Sequence, residues 1–383
     1  LELAGIKHGE YYSLVMFATV GMVVMAAATN LIFIFLGLET MSLALYVLAG
    51  IWRQLLSSQE AALKYFLLGA FASGFLLYGI ALIYGATGSL QLGAIAAYLE
   101  TNGTSNLLSI GIGLLIVGFG FKVAAVPFHV WTPDVYQGSP TPVTALMAIG
   151  VKAAAFASFV RIFLGTLEPI HDDWAALLWG IAVLTMTVGN ITALVQENLT
   201  RLLAYSSIAH AGYLLVAMVA GQETGGPALM YYLVAYGITT LGAFGVIVAV
   251  GGGNSDGRIE DFQGLGLGHP ALAMAMTIFM LSLTGVPPLL GFTGKFYVFN
   301  AAIQEGYLWL VVIGVLNSVV SAYYYVRVIN KMYMQENSSE KYVHTLPSPL
   351  GAAILVAAVG TVLLGLLPSA AISIAKESFL SLG

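Results

Sequence analysis

The sequence predicts an all-α polytopic membrane protein. Of its 383 residues, 59% are hydrophobic and only 8% are charged, and the mean hydropathy is +0.91. A single soluble core could not enclose so much apolar surface. The apolar residues also occur in continuous runs of about 20, the length at which a helix crosses a bilayer. Together these observations indicate a bundle of transmembrane helices.

Eleven segments have the length and composition of a transmembrane helix. A β-barrel would instead alternate apolar and polar residues over about ten positions, and runs such as AILVAAVGTVLLGLL do not alternate. The predicted segments are 11–29, 31–51, 61–84, 107–126, 139–165, 174–195, 202–221, 227–251, 269–300, 308–333 and 350–371.

Charges in the connecting loops predict the orientation of the segments. If successive segments alternate in direction, most loop cations lie on one side and most loop acids on the other. Cationic loops tend to remain on the cytoplasmic side of the membrane, so the side with most cations is predicted to be cytoplasmic. The first residues of the sequence lie on that side. The cations of that side are Lys7, Arg53, Arg201, Arg258, Lys331 and Lys341. The other side carries Glu100, Glu168, Asp172, Asp173, Glu223 and Glu305, with Arg161 and Lys376.

The fourth and ninth segments share an interruption, which predicts an internal repeat. Pro127 follows Lys122 at the end of the fourth segment, and LTGVPPLLGFTGKFYVF breaks the ninth just before Lys295. Segments five and ten end alike, in FVRIF and YVRVI. Because an odd number of helices inverts the copy, we predict two inverted five-helix repeats, each with a broken fourth helix, as in secondary transporters. The predicted units are 1–168, 169–335, and a loop with a C-terminal transmembrane helix at 336–383.

Five ionisable side chains lie inside apolar segments. Each costs roughly 2.5–3.5 kcal/mol at the middle of a bilayer, so selection for stability alone would remove them. A lysine in a dry site loses proton affinity and regains it beside a carboxylate, which makes a glutamate–lysine pair a candidate proton switch. The five residues are Glu39, Lys64, Lys122, Lys152 and Lys295.

Purely structural roles are an alternative for these charges. Lys64 follows Glu60 by four positions, so the two could form an ion pair on one helix face near the membrane surface. Glu39 could be only the structural partner of a lysine.

Two histidines extend the candidate path. His129, just beyond Pro127, could relay protons between Lys122 and Lys152, because imidazole titrates near neutral pH. The alternative is a helix-end histidine bonded to a backbone carbonyl. His210 lies in the seventh segment, and Ser206 and Ser207 precede it by one turn, which suits a hydrated path.

Other polar residues receive structural interpretations. Asp134 lies among turn residues in WTPDVYQGSP and is expected to order a loop through backbone hydrogen bonds. The tyrosines at 323–325 are expected to serve packing and the aromatic belt at the membrane surface.

Several function classes are excluded by composition and motif. The absence of cysteine excludes thiolate-ligated iron–sulfur clusters and disulfides. There is no P-loop and no metal-ligand spacing of His, Asp and Glu, and the glycine run GGGNSDGRIEDF has no strand before it. A nucleic-acid interface would need a basic patch, which the sequence lacks. The chain begins at Leu1 and shows no signal-peptide pattern.

Four stretches of the sequence are distinctive: GLETMSLALYVLAG, FGFKVAAVPFHVWTPDVYQGSPTPVTA, RLLAYSSIAHAGYLL and GVPPLLGFTGKFYVF. Together they resemble the antiporter-like membrane subunits of respiratory complex I, the proton-pumping NADH:quinone oxidoreductase. The resemblance runs through essentially the whole chain. The stretch PFHVWTPDVYQGSPTPV is the most specific and points to the N type, called subunit 2 in mitochondria, over the L and M types.

The resemblance implies roles for the charged residues. It implies that Glu39 pairs with Lys122 of the first broken helix, that Lys152 is the central connecting lysine, and that Lys295 lies near the proton exit. Lys64 matches a lysine on the helix after the glutamate.

The resemblance also implies a place for His129, between the first and central lysines. In that family, quinone reduction elsewhere drives a charge rearrangement along the membrane arm, and this subunit moves protons from the cytoplasm outward.

The resemblance implies no cofactor in this chain, with flavin, iron–sulfur clusters and quinone expected in other subunits. M-type and K-type membrane-arm subunits are the expected neighbours, in the inner (cytoplasmic) membrane of a bacterium. Bacterial members usually have fourteen helices, so three helices before Leu1 are expected to be missing, naturally or by truncation. The alternatives are a subunit of a cation/proton antiporter or membrane-bound hydrogenase, which share this ancestry, and an inert spacer in the membrane arm.

Overall fold

Apolar helices make up most of the chain. The computed structural model describes residues 9–251, 257–334 and 346–380. The helices of the first half are α1 (Gly9–Ala27), α2 (Leu31–Ala49), α3 (Leu56–Thr87), α4 (Leu92–Asn102), α5 (Asn106–Val123), α6 (Trp131–Gly138), α7 (Thr141–Leu146) and α8 (Lys152–Val160). Those that follow are α9 (His171–Ala193), α10 (Leu199–Val219), α11 (Gln222–Gly251), α12 (Leu265–Gly268), α13 (Pro270–Thr284), α14 (Leu290–Gln304), α15 (Leu308–Met334), α16 (Ser348–Leu366) and α17 (Ser369–Leu380).

The predicted all-α membrane fold is confirmed. Within the described ranges, ten helices are long and apolar enough to cross a membrane. The predicted segments coincide with these ten, except the ninth, which is divided into α13 and α14 as its proline and glycine content predicts. The fifth segment is one continuous helical run, Thr141–Thr166, in which the π-helical turn Met147–Val151 joins α7 to α8.

Side-chain caps explain where several helices begin. The side chain of Asn30 accepts a hydrogen bond from the amide of Ile32 at 2.9 Å and opens α2. Asn198 accepts from the amide of Arg201 at 2.9 Å and opens α10. These caps satisfy amides that the first turn of a helix leaves free. The second long helix of each predicted repeat therefore starts in the same way.

Small residues let the first two helices of each predicted repeat approach closely. A methyl group on Gly21 would lie 2.5 Å from the amide nitrogen of Met41, so the backbones of α1 and α2 nearly touch there. On α9, a methyl group on Gly189 would lie 2.7 Å from the amide nitrogen of Ala209 on α10. Close approach through small residues is typical of helix packing in membranes. The repeat boundaries at residues 168 and 335 stay predictions.

Helix α10 lies at the centre of the bundle. It packs against α6, α9, α11, α14 and α15, and every residue from 206 to 220 is buried. By contrast, α1 exposes most of its apolar side chains. Of the cations used to orient the segments, Lys7 and Lys341 lie outside the described residues.

Candidate functional site

The first helix break lies where the sequence predicts it. Helix α5 ends at Val123, and Ala124 takes the left-handed conformation with φ +62°. The amide of Val126 donates to the hydroxyl of Thr185 on α9 at 2.9 Å. The indole nitrogen of Trp131 donates to the carbonyl of Phe121 at 2.9 Å. Backbone groups released by the break therefore find partners inside the protein, as membrane burial requires.

Lys122 is buried in the last turn of α5, with 3% of its surface exposed. Its ammonium donates to the hydroxyl of Ser42 on α2 at 2.7 Å. The same nitrogen lies 5.6 Å from the ring centre of Tyr46 and 5.5 Å from that of Tyr65. The direct contacts of the first buried lysine are thus a neutral oxygen and aromatic rings, and no carboxylate is hydrogen-bonded to it.

The expected ion pair between Glu39 and Lys122 is absent from this structure. Glu39 is half-buried on α2, and its carboxylate accepts a hydrogen bond from Ser73 on α3. Ser42, three residues further along α2, binds Lys122 instead. Each charged group is satisfied by its own serine, so the two need not touch. Pairing between them in another state of the protein stays a prediction.

Lys152 is buried at the start of α8, immediately after the π-helical turn, with 2% exposed. Its ammonium donates to both the carbonyl and the hydroxyl of Ser207 on α10, the latter at 2.6 Å. The hydroxyl of Tyr236 donates to the same serine oxygen at 2.8 Å. Single π-helical turns are frequent at functional sites, and this one precedes the central lysine directly.

His210 lies between the second and third buried lysines. Its Nδ1 is hydrogen-bonded to the hydroxyl of Tyr232 at 2.6 Å, and its Nε2 to that of Tyr325 at 3.2 Å. Its ring centre lies 5.2 Å from that of Tyr236 and 5.6 Å from that of Tyr213. The serines predicted beside it both take part in the site, because Ser206 bonds Tyr325 and Ser207 bonds Lys152.

Lys295 is buried after the second break, in α14, with 5% exposed. Its ammonium donates to the carbonyl of Thr284 at 3.0 Å and to the hydroxyl of Ser318 at 3.1 Å. Ser318 in turn donates to the hydroxyl of Tyr213 at 3.2 Å, and the ring of that tyrosine lies 4.6 Å from the ammonium.

The contacts form a line of polar side chains through the bundle. It leads from Lys152 through Ser207 and Tyr236 to His210, and from the ring of His210 through Tyr213 to Lys295. Groups able to accept or give a proton succeed one another along it. A lysine held only by neutral groups has a protonation state that responds to any change in nearby charge, which is the property a proton carrier needs.

Lys64 lies apart from this line. Its side chain is 41% exposed and forms the ion pair with Glu60 that its spacing permits, at 2.7 Å. It also donates to the carboxylate of Asp134 at 2.7 Å. The alternative of an ion pair with Glu60 on one helix face is therefore confirmed, and a role of Lys64 in the proton path stays a prediction.

Asp134 was expected to order a loop through backbone hydrogen bonds, and this is wrong. It lies in helix α6, and its carboxylate accepts from the side chains of Lys64 and Arg201. Pro133 is tolerated there because the first turn of a helix needs no amide donor.

His129 lies in the break and is half-buried, and no hydrogen bond joins its ring to Lys122 or Lys152. Its relay role stays a prediction.

The tyrosines at 323–325 differ from one another. Tyr323 is 65% exposed, as a membrane-surface belt requires, but Tyr324 and Tyr325 are completely buried. Tyr324 donates to the side-chain oxygen of Asn190 at 2.9 Å. Packing is therefore confirmed for Tyr324 and Tyr325, and only Tyr323 has the exposure of a belt residue, because neighbouring helix positions point about 100° apart. Within the described residues, no group of three or more His, Asp or Glu side chains could hold a metal ion.

A helical bundle with lysines buried at two helix breaks is typical of antiporter-like membrane subunits. The family described as NADH:quinone oxidoreductase/Mrp antiporter, TM matches residues 28–321. The chain belongs to this family, among the subunits N of NADH-quinone oxidoreductase.

Two relatives are similar to this chain over almost its whole length. Subunit N of Trichlorobacter lovleyi is 52% identical over 375 residues, which cover 97% of this chain and 77% of that protein. Subunit N of Mycobacterium tuberculosis is 45% identical over 384 residues, or 98% of this chain and 72% of the relative.

A chain of respiratory complex I from Thermus thermophilus with bound aureothin is 43% identical, with a TM-score of 0.84 over 96% of this chain and 81% of that one. A chain of the archaeal membrane-bound sulfane sulfur reductase is 28% identical, with a TM-score of 0.88 over 97% and 76%.

Proposed function

We propose that this chain translocates protons within the membrane arm of a complex I-type NADH:quinone oxidoreductase. The observation that carries the proposal is the line from Lys152 through His210 to Lys295, in which buried cations have only neutral partners. Lys122, Lys152 and Lys295 are all buried without a hydrogen bond to a carboxylate. Burying them is costly, and a chain that only filled space in the membrane arm would gain nothing from it.

The proposed mechanism uses the protonation of each lysine as the carrier. A negative charge brought near one lysine favours its protonated form, and withdrawal of that charge lets the proton pass to the next group. Lys122 and Glu39 form the input end, since Ser42 and Ser73 hold them on neighbouring helices. Lys152 and His210 carry the proton through the centre, and Lys295 releases it. Lys64 and His129 are kept as candidates at the entrance and at the first break.

The chain is proposed to carry no cofactor of its own, so quinone reduction would occur on other subunits that hold the flavin and iron–sulfur clusters. Its proposed neighbours are the M-type and K-type membrane-arm subunits in a bacterial inner membrane. A cation/proton antiporter or hydrogenase subunit is the rival function. Co-purification with flavin and iron–sulfur subunits supports the first assignment, and their absence from the purified assembly supports the rival.

The decisive experiment replaces Lys122 by alanine in the host complex. NADH-driven quinone reduction and proton uptake are compared in inverted membrane vesicles, with assembly checked on a native gel. Proton uptake per NADH oxidised is expected to fall in the assembled complex. Lys376→Ala, which changes an exposed lysine on α17, serves as the control and should leave uptake unchanged. Normal uptake in Lys122→Ala would favour the spacer hypothesis.

A further inference from the structure

Asp134 lies where three helices meet. Its Oδ2 accepts a hydrogen bond from the ammonium of Lys64 on α3, and its Oδ1 from Nη1 of Arg201 on α10, each at 2.7 Å. The same Arg201 nitrogen also donates to the side-chain oxygen of Gln137, 3.2 Å away on α6. The short helix α6 is thereby fastened to a helix of each half of the chain.

We propose that Asp134 is a positioning residue whose ion pairs with Lys64 and Arg201 couple the Lys122 site to the Lys152–His210 site. The proposal rests on the proposed function and names a regulator of the same path. Asp134 itself carries no proton in it.

The ion pair with Lys64 connects Asp134 to the surroundings of the first buried lysine, Lys122. Tyr65, the next residue on α3, stacks on Trp131 of α6 with ring centres 4.5 Å apart and planes 8° from parallel. The ammonium of Lys122 lies 5.5 Å from the Tyr65 ring centre. Trp131 also holds the carbonyl of Phe121, the neighbour of Lys122. A displacement of α6 relative to α3 therefore alters the surroundings of Lys122 at two points.

The ion pair with Arg201 connects Asp134 to the Lys152–His210 site. Arg201 lies in the first turn of α10, the helix that carries Ser207 and His210. Ser207 binds the ammonium of Lys152 with its carbonyl and its hydroxyl. Because α10 is a rigid helix, a force applied to Arg201 is transmitted along its axis to both residues. The carboxylate of Asp134 is thus shared between the helix beside Lys122 and the helix that holds Lys152.

The exposure of these ion pairs favours coupling over stabilisation. The side chains of Asp134 and Arg201 are 34% and 29% exposed, and exposed ion pairs contribute little to stability. Backbone contact already secures the far end of α6, since a methyl group on Gly138 would lie 2.5 Å from the carbonyl oxygen of Ser57. Helix α6 can therefore stay folded when the carboxylate is removed, while its orientation relative to α10 changes.

The test replaces Asp134 by asparagine in the complete host complex. Proton uptake per NADH oxidised is measured in inverted vesicles beside Lys122→Ala. Asp134→Asn is expected to reproduce at least about half of the loss that Lys122→Ala causes, with wild-type assembly, and the double variant with Arg201→Gln should be no worse than the single one. Asp134→Glu should restore uptake.

The control is Asp173→Asn, which changes an acid that also accepts one hydrogen bond across the halves, from Thr104 at 2.9 Å. It should leave the ratio unchanged. Wild-type uptake in assembled Asp134→Asn, while Lys122→Ala pumps poorly, overturns the coupling role and leaves the proposed function intact. Wild-type uptake in Lys122→Ala overturns the proposed function instead.

If Asp134→Asn does not assemble, Arg201→Gln removes the ion pair of Asp134 with α10 and leaves Lys64 in place. Reduced uptake in assembled Arg201→Gln supports the coupling, and wild-type uptake overturns it.

Discussion

The two broken helices place their lysines on opposite sides of the break. Lys122 precedes the first break and reaches another helix, where it donates to Ser42. Lys295 follows the second break and reaches back across it to the carbonyl of Thr284, the last residue of α13. That carbonyl lies at the negative end of the helix dipole, which favours a cation. The second lysine is therefore stabilised by the break itself, and the first by a neighbouring helix.

The residue that turns the chain differs between the breaks for the same reason. Ala124 adopts φ +62° at the first break, and Gly285 adopts φ +94° at the second. A methyl group on Gly285 would lie 3.2 Å from Cδ of Lys295, so any larger residue there would crowd the returning lysine. No lysine crosses the first break, and alanine fits. At the second break the lysine contacts the turn and limits the size of the turning residue. At the first break the lysine points to another helix and sets no such limit.

The largest expected effect comes from adding a methyl group at the close contact between α13 and α14 beside the second break. A methyl group on Gly291 would lie 1.9 Å from the carbonyl oxygen of Ser282, so Gly291→Ala must push α14 away from α13. Overpacking costs about 1–3 kcal/mol or more, and we expect loss of the assembled complex on a native gel. Gly180→Ala, at a position with open space, is the matched control. Full assembly of Gly291→Ala would mean that the break tolerates displacement.

A smaller effect is expected from Gly285→Ala. The left-handed conformation costs a non-glycine residue about 1–2 kcal/mol, and the new methyl group displaces the Lys295 stem. The complex should assemble, and proton uptake per NADH should fall. The counterpart Ala124→Gly should keep wild-type uptake. Equal losses in the two variants would remove the distinction between the breaks.

The smallest effect is expected where the two breaks agree. A hydroxyl accepts from an amide beside each break, Thr185 from Val126 at 2.9 Å and Ser282 from Gly291 at 3.0 Å. Thr185→Val leaves the first amide without its partner and should lower stability by about 1–2 kcal/mol, the usual cost of a buried unpaired donor. Thermal denaturation of the purified complex measures it, with Thr185→Ser as the control. An unchanged midpoint in Thr185→Val would show that this hydrogen bond is dispensable.

Local features of the sequence predicted both breaks and the buried lysines. Pro127 and the run from Gly285 to Gly294 interrupt helices by their own backbone chemistry, and a charge inside an apolar run is conspicuous by itself. The partners of these groups were not predictable, because contacts join residues far apart in the chain. Ser42 lies 80 positions from Lys122, and Asp134 lies 70 from Lys64 and 67 from Arg201.

Asp134 shows a second limit of sequence reasoning. Proline, aspartate and glycine mark a loop, but the same residues suit the ends of a helix as short as α6. The local signal therefore cannot separate the two structures, and only the ion pairs with α3 and α10 distinguish them.

The enclosure of α10 has a consequence for the biogenesis of the protein. This helix carries Ser206, Ser207 and His210, and α15 supplies Tyr325, the partner of both Ser206 and His210. During synthesis α10 leaves the ribosome about a hundred residues before α15, so Ser206 and Nε2 of His210 must wait in the membrane without Tyr325. A chain that stops before Leu308 would leave both buried groups without this partner, which marks it as a substrate for membrane quality control.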